Sequence, residues 1–438
     1  MKKIAALIIS AVLFISTTIS AGAVDYGCDV DTTASAIYVE NLDTNTVVLD
    51  KASQQKMYPA STTKIMTYII VAENVSDFEN TTVKIEEDIL ADMDPESSVM
   101  GLSDHIGEEF SVLDLLYGLM LPSGNDAALV LSRYVGKTID GFADMMNKKA
   151  QELGCKNTHF VNPNGLFDEN HYTTAQDMAV ITKYAMTLDK FEEITNTKSY
   201  TPKGFSEPIE TTNYMIDGSQ EDGKYYYKYA KGIKTGYTAE AGKCLVSTAI
   251  KDGYTYLCVA LGADYSEVEQ INYAMLDSAA LYDWMFNNLS YQTLYSKDEV
   301  IKSVDVDYTF GNKTTDIVAQ NDIKTLLNND YNKSLLTSKI ECEDKVAAPI
   351  KKGDVLGKLT VYYDNEEVGS VNLVASEDVK RSFVVYAAHK TGEFISNHLL
   401  LTIFILIVII LIIALLLINK RQKRIQREKR QNRVRRYR

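Results

Sequence analysis

Tyr58-Pro59-Ala60-Ser61-Thr62-Thr63-Lys64 runs straight into Ile65-Met66-Thr67-Tyr68-Ile69-Ile70-Val71. The second half is too apolar for a surface segment, so the stretch predicts a buried helix that opens at the serine. Ser61 and Lys64 form an S-x-x-K motif, and residues three apart share one helix face. The amine is therefore expected one turn above the hydroxyl, within its reach. A helix start also presents unpaired N–H groups and the positive end of the dipole, which favour an alkoxide-like nucleophile and an oxyanion. A serine hydroxyl is a poor nucleophile until a base takes its proton. An ammonium cannot take it, but burial and a nearby positive charge both lower the pKa of a lysine. Lys64 is thus expected to be neutral for part of the cycle and to act as general base for Ser61.

Two further motifs belong with this one. Ser123-Gly124-Asn125 is S-x-N and follows an apolar helix ending at Leu121-Pro122. A loop there can set a hydroxyl and an amide in a cleft. Ser123 would relay a proton to the leaving group, and Asn125 would hold Lys64 or the amide of a substrate. The bland alternative is a turn that caps a helix starting at Asp126. Lys234-Thr235-Gly236 is K-T-G, in a lysine cluster of 228, 231, 234 and 243 on a chain that is otherwise acidic. Such a patch suits a substrate ending in a carboxylate. Lys234 and Thr235 would bind it, Gly236 would let it approach the backbone, and Lys234 would supply the second charge beside Lys64. The alternative is a solvated strand edge, where lysines are common. Tyr225, Tyr226, Tyr227 and Tyr229 are expected to cover a sheet.

Each motif recurs elsewhere. Ser53-Gln54-Gln55-Lys56, Ser370-Val371-Asn372 and Lys390-Thr391-Gly392 repeat the three patterns. Context separates them: Ser53 lies in a polar loop, Ser370 on an alternating strand, and Lys390 close to the C-terminal apolar run.

Working outward, Met57 to Val71, Val112 to Tyr134 and Asp264 to Asn287 carry apolar residues at helical spacing. Ala36 to Leu49, Lys243 to Ile250 and Tyr254 to Leu261 read as strands, with Asp252-Gly253 as a hairpin turn. Mixed helices and strands in one domain predict an α/β (α+β) catalytic domain over 31–288. Beyond it the helical period fades. Val304, Val306 and Tyr308 alternate, as do Leu359, Val361 and Tyr363, and Asp364 to Glu367 turn the latter back into Val368 to Val374. A small all-β domain is expected over 293–384, then a stalk over 385–398.

Leu399 to Ile418 is an uncharged run broken only by Thr402. As a helix its 20 residues span about 30 Å, the thickness of a hydrocarbon core. The remainder, 419–438, holds 11 Lys/Arg and one Glu, a net of +10 that leaves −24 on the rest of a chain at −14. Basic flanks stay in the cytoplasm, and this one also meets anionic lipid. Residues 1–23 have a charged start, a short apolar middle and Ala21-Gly22-Ala23, the form of a cleaved signal peptide. An uncleaved anchor is the alternative, but the run is short for a span. The body is therefore expected outside the cell. Its acidity disfavours nucleic acid as a partner. The cysteines are odd in number with no C-x-x-C, and the histidines are scattered with no H-E-x-x-H. Neither a disulfide scaffold, a metal centre nor any cofactor is expected.

In this order the motifs resemble those of the D-alanyl-D-alanine carboxypeptidases, the low-molecular-mass penicillin-binding proteins among the serine peptidases. The likeness extends through Tyr58 to Thr67, Leu121 to Ala128, Gly232 to Thr238, Asn164-Gly165-Leu166 and Tyr172 to Met178. It covers about Thr33 to Asn287, and many members carry a β domain behind it. The resemblance implies a DD-peptidase/β-lactamase-like fold. It implies that Ser61 attacks the carbonyl between the two terminal D-alanines of a peptidoglycan stem pentapeptide. D-alanine leaves and water hydrolyses the acyl-enzyme. The backbone N–H groups of Ser61 and Tyr237 form the oxyanion hole, and penicillins acylate the same serine. Tyr237 stands where some relatives have His after K-T-G, which bears on substrate preference. Many relatives hold the membrane by an amphipathic C-terminal helix; here a full span with a basic tail is expected.

A β-lactamase on the same trio needs a second base for fast deacylation, often a Glu in E-x-x-L-N. No such motif is present, and Glu169 lacks the context. A penicillin sensor that acylates without turnover would need a signalling domain that a short basic tail does not offer. A transpeptidase, whose acyl-enzyme is captured by an amine, is compatible with the same residues.

Overall fold

The structure, a computed structural model, describes residues 24–435 apart from 92, 94–96, 267–270 and 312. The expected signal peptide lies outside the described residues. The chain forms two compact units. One runs to Gln292 and takes in Thr325–Leu336 and Tyr362–Glu367; the other comprises Thr293–Lys324, Thr337–Val361 and the residues from Val368 on.

The first unit is built on a five-stranded antiparallel sheet in the order Thr46–Lys51, Ala36–Asn41, Tyr254–Ala263, Gly242–Lys251, Ala230–Thr238. Its strands alternate with period 2, and both faces are covered. Leu257, Val259 and Leu261 enter one core with Ile65, Ile69, Leu115, Leu119 and Val130. Tyr256, Cys258 and Ala260 enter the other with Leu281, Tyr282 and Met285 of the Tyr273–Asn288 helix. The K-T-G strand is an edge strand, so one side of its backbone is free to meet the Ser61 segment or a ligand.

The hairpin at Asp252-Gly253 is as expected, with φ of +52° and +84° at its two turn residues. That is the primed geometry that matches strand twist. Other boundaries differ. The stretch Ala36 to Leu49 is two strands folded at Asn45, whose φ is +54°. The first of them is buried throughout and so carries no alternation, while the second buries only Val48. Val112 to Tyr134 is two helices, Val112–Met120 and Asn125–Gly136, with the S-x-N loop between them as expected after Leu121-Pro122. The helix expected over Asp264 to Asn287 begins at Tyr273. Three of the four tyrosines cover a sheet as expected: Tyr225 is buried, Tyr227 stacks on Tyr282, and Tyr229 meets Phe286 edge-on, whereas Tyr226 is exposed.

The second unit holds a six-stranded sheet in the order Leu336–Cys342, Val355–Tyr363, Glu366–Ala375, Lys313–Ala319, Val300–Asp307, Lys345–Ala347, the last pair parallel. Val304, Val306, Leu359 and Val361 are buried, as their alternation predicts. The turn between the two longest strands is Asp364-Asn365, both at positive φ. The expected stalk is a helix, Phe383–Asn397, with no buried residue. The next helix, Leu399–Arg435, is long and apolar enough over Leu399–Lys429 to cross a membrane, consistent with membrane anchoring.

Candidate active site

The S-x-x-K segment enters its helix through a 3-10 turn, Ala60–Thr63, and the α-helix proper is Lys64–Asn74. Ser61 therefore sits in the tighter turn and not at the first α-helical position. Every residue from Lys64 to Val71 is buried, so the run predicted as a core helix is one. Lys64 Nζ lies 2.9 Å from Ser61 Oγ. The same nitrogen donates to Asn125 Oδ1 at 2.7 Å and to the Asn164 carbonyl at 2.7 Å. Three elements far apart in sequence thus converge on one amine.

That amine is fully enclosed, at 0 % exposure. Burial pushes it well below its ordinary pKa, and the Lys234 charge pushes it further. The Asp126 carboxylate works in the opposite direction. Lys234 is nearly as enclosed, and burial alone brings it down to about 7. Among the described residues its Nζ donates only to the neighbouring Thr235 carbonyl, at 3.0 Å. Thr235 Oγ1 is 2.6 Å from Thr212 Oγ1. An ideal Cβ on Gly236 would stand 2.9 Å from Ser61 N and 3.1 Å from Pro59 O, so only glycine lets this strand lie against the serine.

Ser123 is a non-glycine residue at φ +62°, and its buried Oγ has no hydrogen-bond partner among the described residues. Strain and an unpaired hydroxyl at one residue mark a functional position better than a plain turn. Asn125 does not cap the helix; the cap position is Gly124, with no side-chain hydrogen bond.

The lysine cluster does not converge as expected. Lys228 lies over the Tyr229 ring at 4.6 Å, and Lys231 is exposed beside a cleft lined by Met186, Phe191 and Thr195. Strand alternation sends neighbours to different faces, which spacing alone had hidden. The repeated motifs are elsewhere too. Ser53 accepts at its carbonyl from Gln176 N, Asn372 donates to Gln320, and Lys390 pairs with Glu393 on an exposed helix.

Three supports carried no clear sequence signal. Asp126 accepts backbone N–H bonds from Met100, Gly101, Leu102 and Ala127. His171 Nδ1 accepts from Val161 N, which leaves Nε2–H to donate to Thr63 Oγ1 at 2.8 Å. Burial holds this imidazole down to about 4, so it is neutral at pH 7. Asn164 offers only its backbone, and a backbone contact has no residue signature. Gly165 lies in the Asn164-Gly165-Leu166 stretch through which the likeness extends. Its φ is +85°, and an ideal Cβ there would fall 1.9 Å from Ala60 O and 2.9 Å from Thr63 Oγ1. Gly165→Ala is expected to push the Ser61 turn out of place. Penicillin labelling of Ser61 should fall at least tenfold, with a loss of more than about 2 kcal/mol in thermal unfolding, from strained φ and overpacking together. Parent-like labelling would mean that the turn tolerates displacement.

Comparison with known proteins gives one answer. The family described as D-alanyl-D-alanine carboxypeptidase (peptidase S11) matches residues 24–265, and the penicillin-binding protein 5 C-terminal domain matches 289–381. The chain is similar to D-alanyl-D-alanine carboxypeptidase DacF of Bacillus subtilis, at 29 % identity over 82 % of this chain and 89 % of that one. It is similar to DacA of Haemophilus influenzae at 30 % identity, over 79 % of this chain and 85 % of the relative. The solved penicillin binding protein 5 from Haemophilus influenzae superposes with a TM-score of 0.61 at 26 % identity, over 81 % of this chain and 99 % of that one. The chain therefore belongs to the D-alanyl-D-alanine carboxypeptidases, a family of serine peptidases.

Proposed function

We propose that this chain removes the terminal D-alanine from peptidoglycan stem pentapeptides through an acyl-enzyme on Ser61. The observation that carries the reading is the enclosed Lys64 amine, 2.9 Å from Ser61 Oγ and held below its ordinary pKa by burial and by Lys234. A neutral Lys64 takes the serine proton as Oγ attacks the carbonyl between the two D-alanines. The N–H groups of Ser61 and Tyr237 stabilise the oxyanion. Ser123 passes the proton to the leaving amine, and Asn125 keeps Lys64 oriented. Lys234 and Thr235 hold the substrate carboxylate, with Gly236 allowing close approach. Water then releases the shortened peptide. β-Lactams, which also present an acylating carbonyl and a carboxylate, acylate Ser61 as covalent inhibitors.

The domain plan goes with this reading: a catalytic domain over 31–288, a β domain over 293–384, the segment 385–398, a single span over 399–418 and the tail 419–438. The basic tail favours a cytoplasmic C-terminus and an extracytoplasmic catalytic domain. The test is D-alanine release from a diacyl-D-Ala-D-Ala peptide by the full chain in detergent. Ser61→Ala should release none; release at the parent rate would move the nucleophile elsewhere.

The pH dependence follows from the two lysines. Attack requires neutral Lys64, so kcat/KM rises as pH climbs through its depressed pKa. Carboxylate binding requires charged Lys234, so kcat/KM falls as pH passes about 7 in the free enzyme. The expected profile is a bell. Lys234→Arg keeps its charge at all accessible pH and should move the alkaline limb up by more than about one unit. An unmoved limb would take Lys234 out of the role.

Lys234→Met should also stabilise the fold. The folded pKa lies below the unfolded one, so the native state loses stability as pH falls toward about 7. An apolar side chain of similar size escapes that cost and orphans only a bond to its neighbouring carbonyl. A rise of several degrees in Tm below pH 7 is expected, at roughly 2–4 °C per kcal/mol, together with weaker peptide binding. A lowered Tm would contradict the burial argument.

A further inference from the structure

Lys243 lies on the strand next to K-T-G, directly opposite Tyr237 in the register. Its Nζ sits 3.9 Å from the centre of the Tyr237 ring and 4.1 Å from that of Tyr265. The two rings are 5.3 Å apart and tilted, so they form a two-sided aromatic cleft around one ammonium. Each face attracts the cation through the ring quadrupole. Among the described residues no hydrogen bond or ion pair to Lys243 is found. Burial lowers its pKa, and among the described residues no carboxylate offsets that cost.

Its place on the sheet gives this a direction. Cross-strand partners share a face, and so do residues two apart on one strand. Lys243 and Tyr237 therefore share a face with Thr235, the hydroxyl placed against the substrate carboxylate above. Lys234 points to the opposite face, among the helices. Tyr237 is 44 % exposed beside K-T-G.

We propose that Lys243, clasped between Tyr237 and Tyr265, is a specificity-determining residue that favours substrates and inhibitors with a free carboxylate beside Thr235. It does so through its charge, which adds to the field at the carboxylate end of the cleft. The inference rests on the reading of Lys234 and Thr235 as the carboxylate cradle. Lys243 touches no reacting atom, so its effect belongs in recognition and not in the chemical step.

The test crosses the charge of the residue with the charge of the substrate. Wild type, Lys243→Met and Lys243→Arg of the full chain are assayed on diacyl-D-Ala-D-Ala and on a diacyl-D-alanyl benzyl thioester, whose leaving group has no carboxylate. Lys243→Met should raise KM for the peptide about fivefold, the size expected of one partly screened charge, with kcat unchanged. The thioester should be turned over as before, and Lys243→Arg should restore the peptide KM. Equal losses on both substrates would reduce Lys243 to a structural brace, and no loss on either would remove it; both overturn the proposal. Penicillin labelling of Ser61 in wild type separates this from failure of the catalytic reading, which would show as absent labelling.

Discussion

Replacing Lys64 with Arg will abolish acylation even though the positive charge remains. D-alanine release and penicillin labelling are both expected to fall by about 10³- to 10⁴-fold, the upper range for loss of a positioned general base. If Lys64 served as a fixed cation that steadies the oxyanion, arginine would retain part of that service. If it serves as a base, arginine cannot, because a guanidinium does not give up its proton in proteins. The surroundings favour the base. Full burial and the Lys234 charge both disfavour the ammonium form. The carbonyl of Asn164 and Oδ1 of Asn125 accept from the amine, so its lone pair is left for Ser61 Oγ. Lys64→Met should behave like the arginine variant, since both lack a base. Labelling of Lys64→Arg within tenfold of the parent would show that charge, and not proton transfer, is what position 64 supplies.

The trio itself was legible because each motif sits where secondary structure changes character. Pro59-Ala60 before an apolar run marks a helix entrance, Pro122 marks a helix end, and the lysine-rich stretch precedes two strongly apolar strands. The small β domain was equally readable, since one solvated face leaves alternation in Val304 and Val306. The break at Asn45 was not, because the strand before it is enclosed throughout and presents no period to interrupt. The lysine cluster misled for the opposite reason. Spacing in sequence counts Lys228 and Lys231 with Lys234, but edge geometry and the tyrosine cover separate them. His171 and Asn164 act through a ring nitrogen and a carbonyl aimed by tertiary contacts, and nothing local announces either.

Asp126 was the most consequential residue to escape notice, and its removal should be the most damaging change outside the trio. In sequence it is an ordinary acidic residue in the first turn of a helix, where the dipole alone explains it. In the fold its carboxylate has 0 % exposure and gathers N–H groups from Met100, Gly101 and Leu102. It thereby ties the segment before the catalytic helices to the S-x-N loop, where Asn125 N also donates to Ser98 O at 2.8 Å. Asp126→Ala leaves three backbone donors of another segment without acceptors. Bonds to a charged group contribute about 1.5–3 kcal/mol each and are not additive, so a net loss of about 4 kcal/mol is expected. At roughly 2–4 °C per kcal/mol, thermal unfolding should begin 8–16 °C earlier. Activity should fall as well, because Asn125 loses the anchor that aims its Oδ1 at Lys64. The charge has its own signature: the Asp126 carboxylate holds Lys64 partly up. In Asp126→Asn, which keeps the shape, Lys64 should lose its proton at lower pH, moving the acid limb of the kcat/KM profile downward. A thermal midpoint within 2 °C of the parent in Asp126→Ala, or an unmoved acid limb in Asp126→Asn, would show that the loop is held by its other contacts and that Lys64 is tuned without this carboxylate.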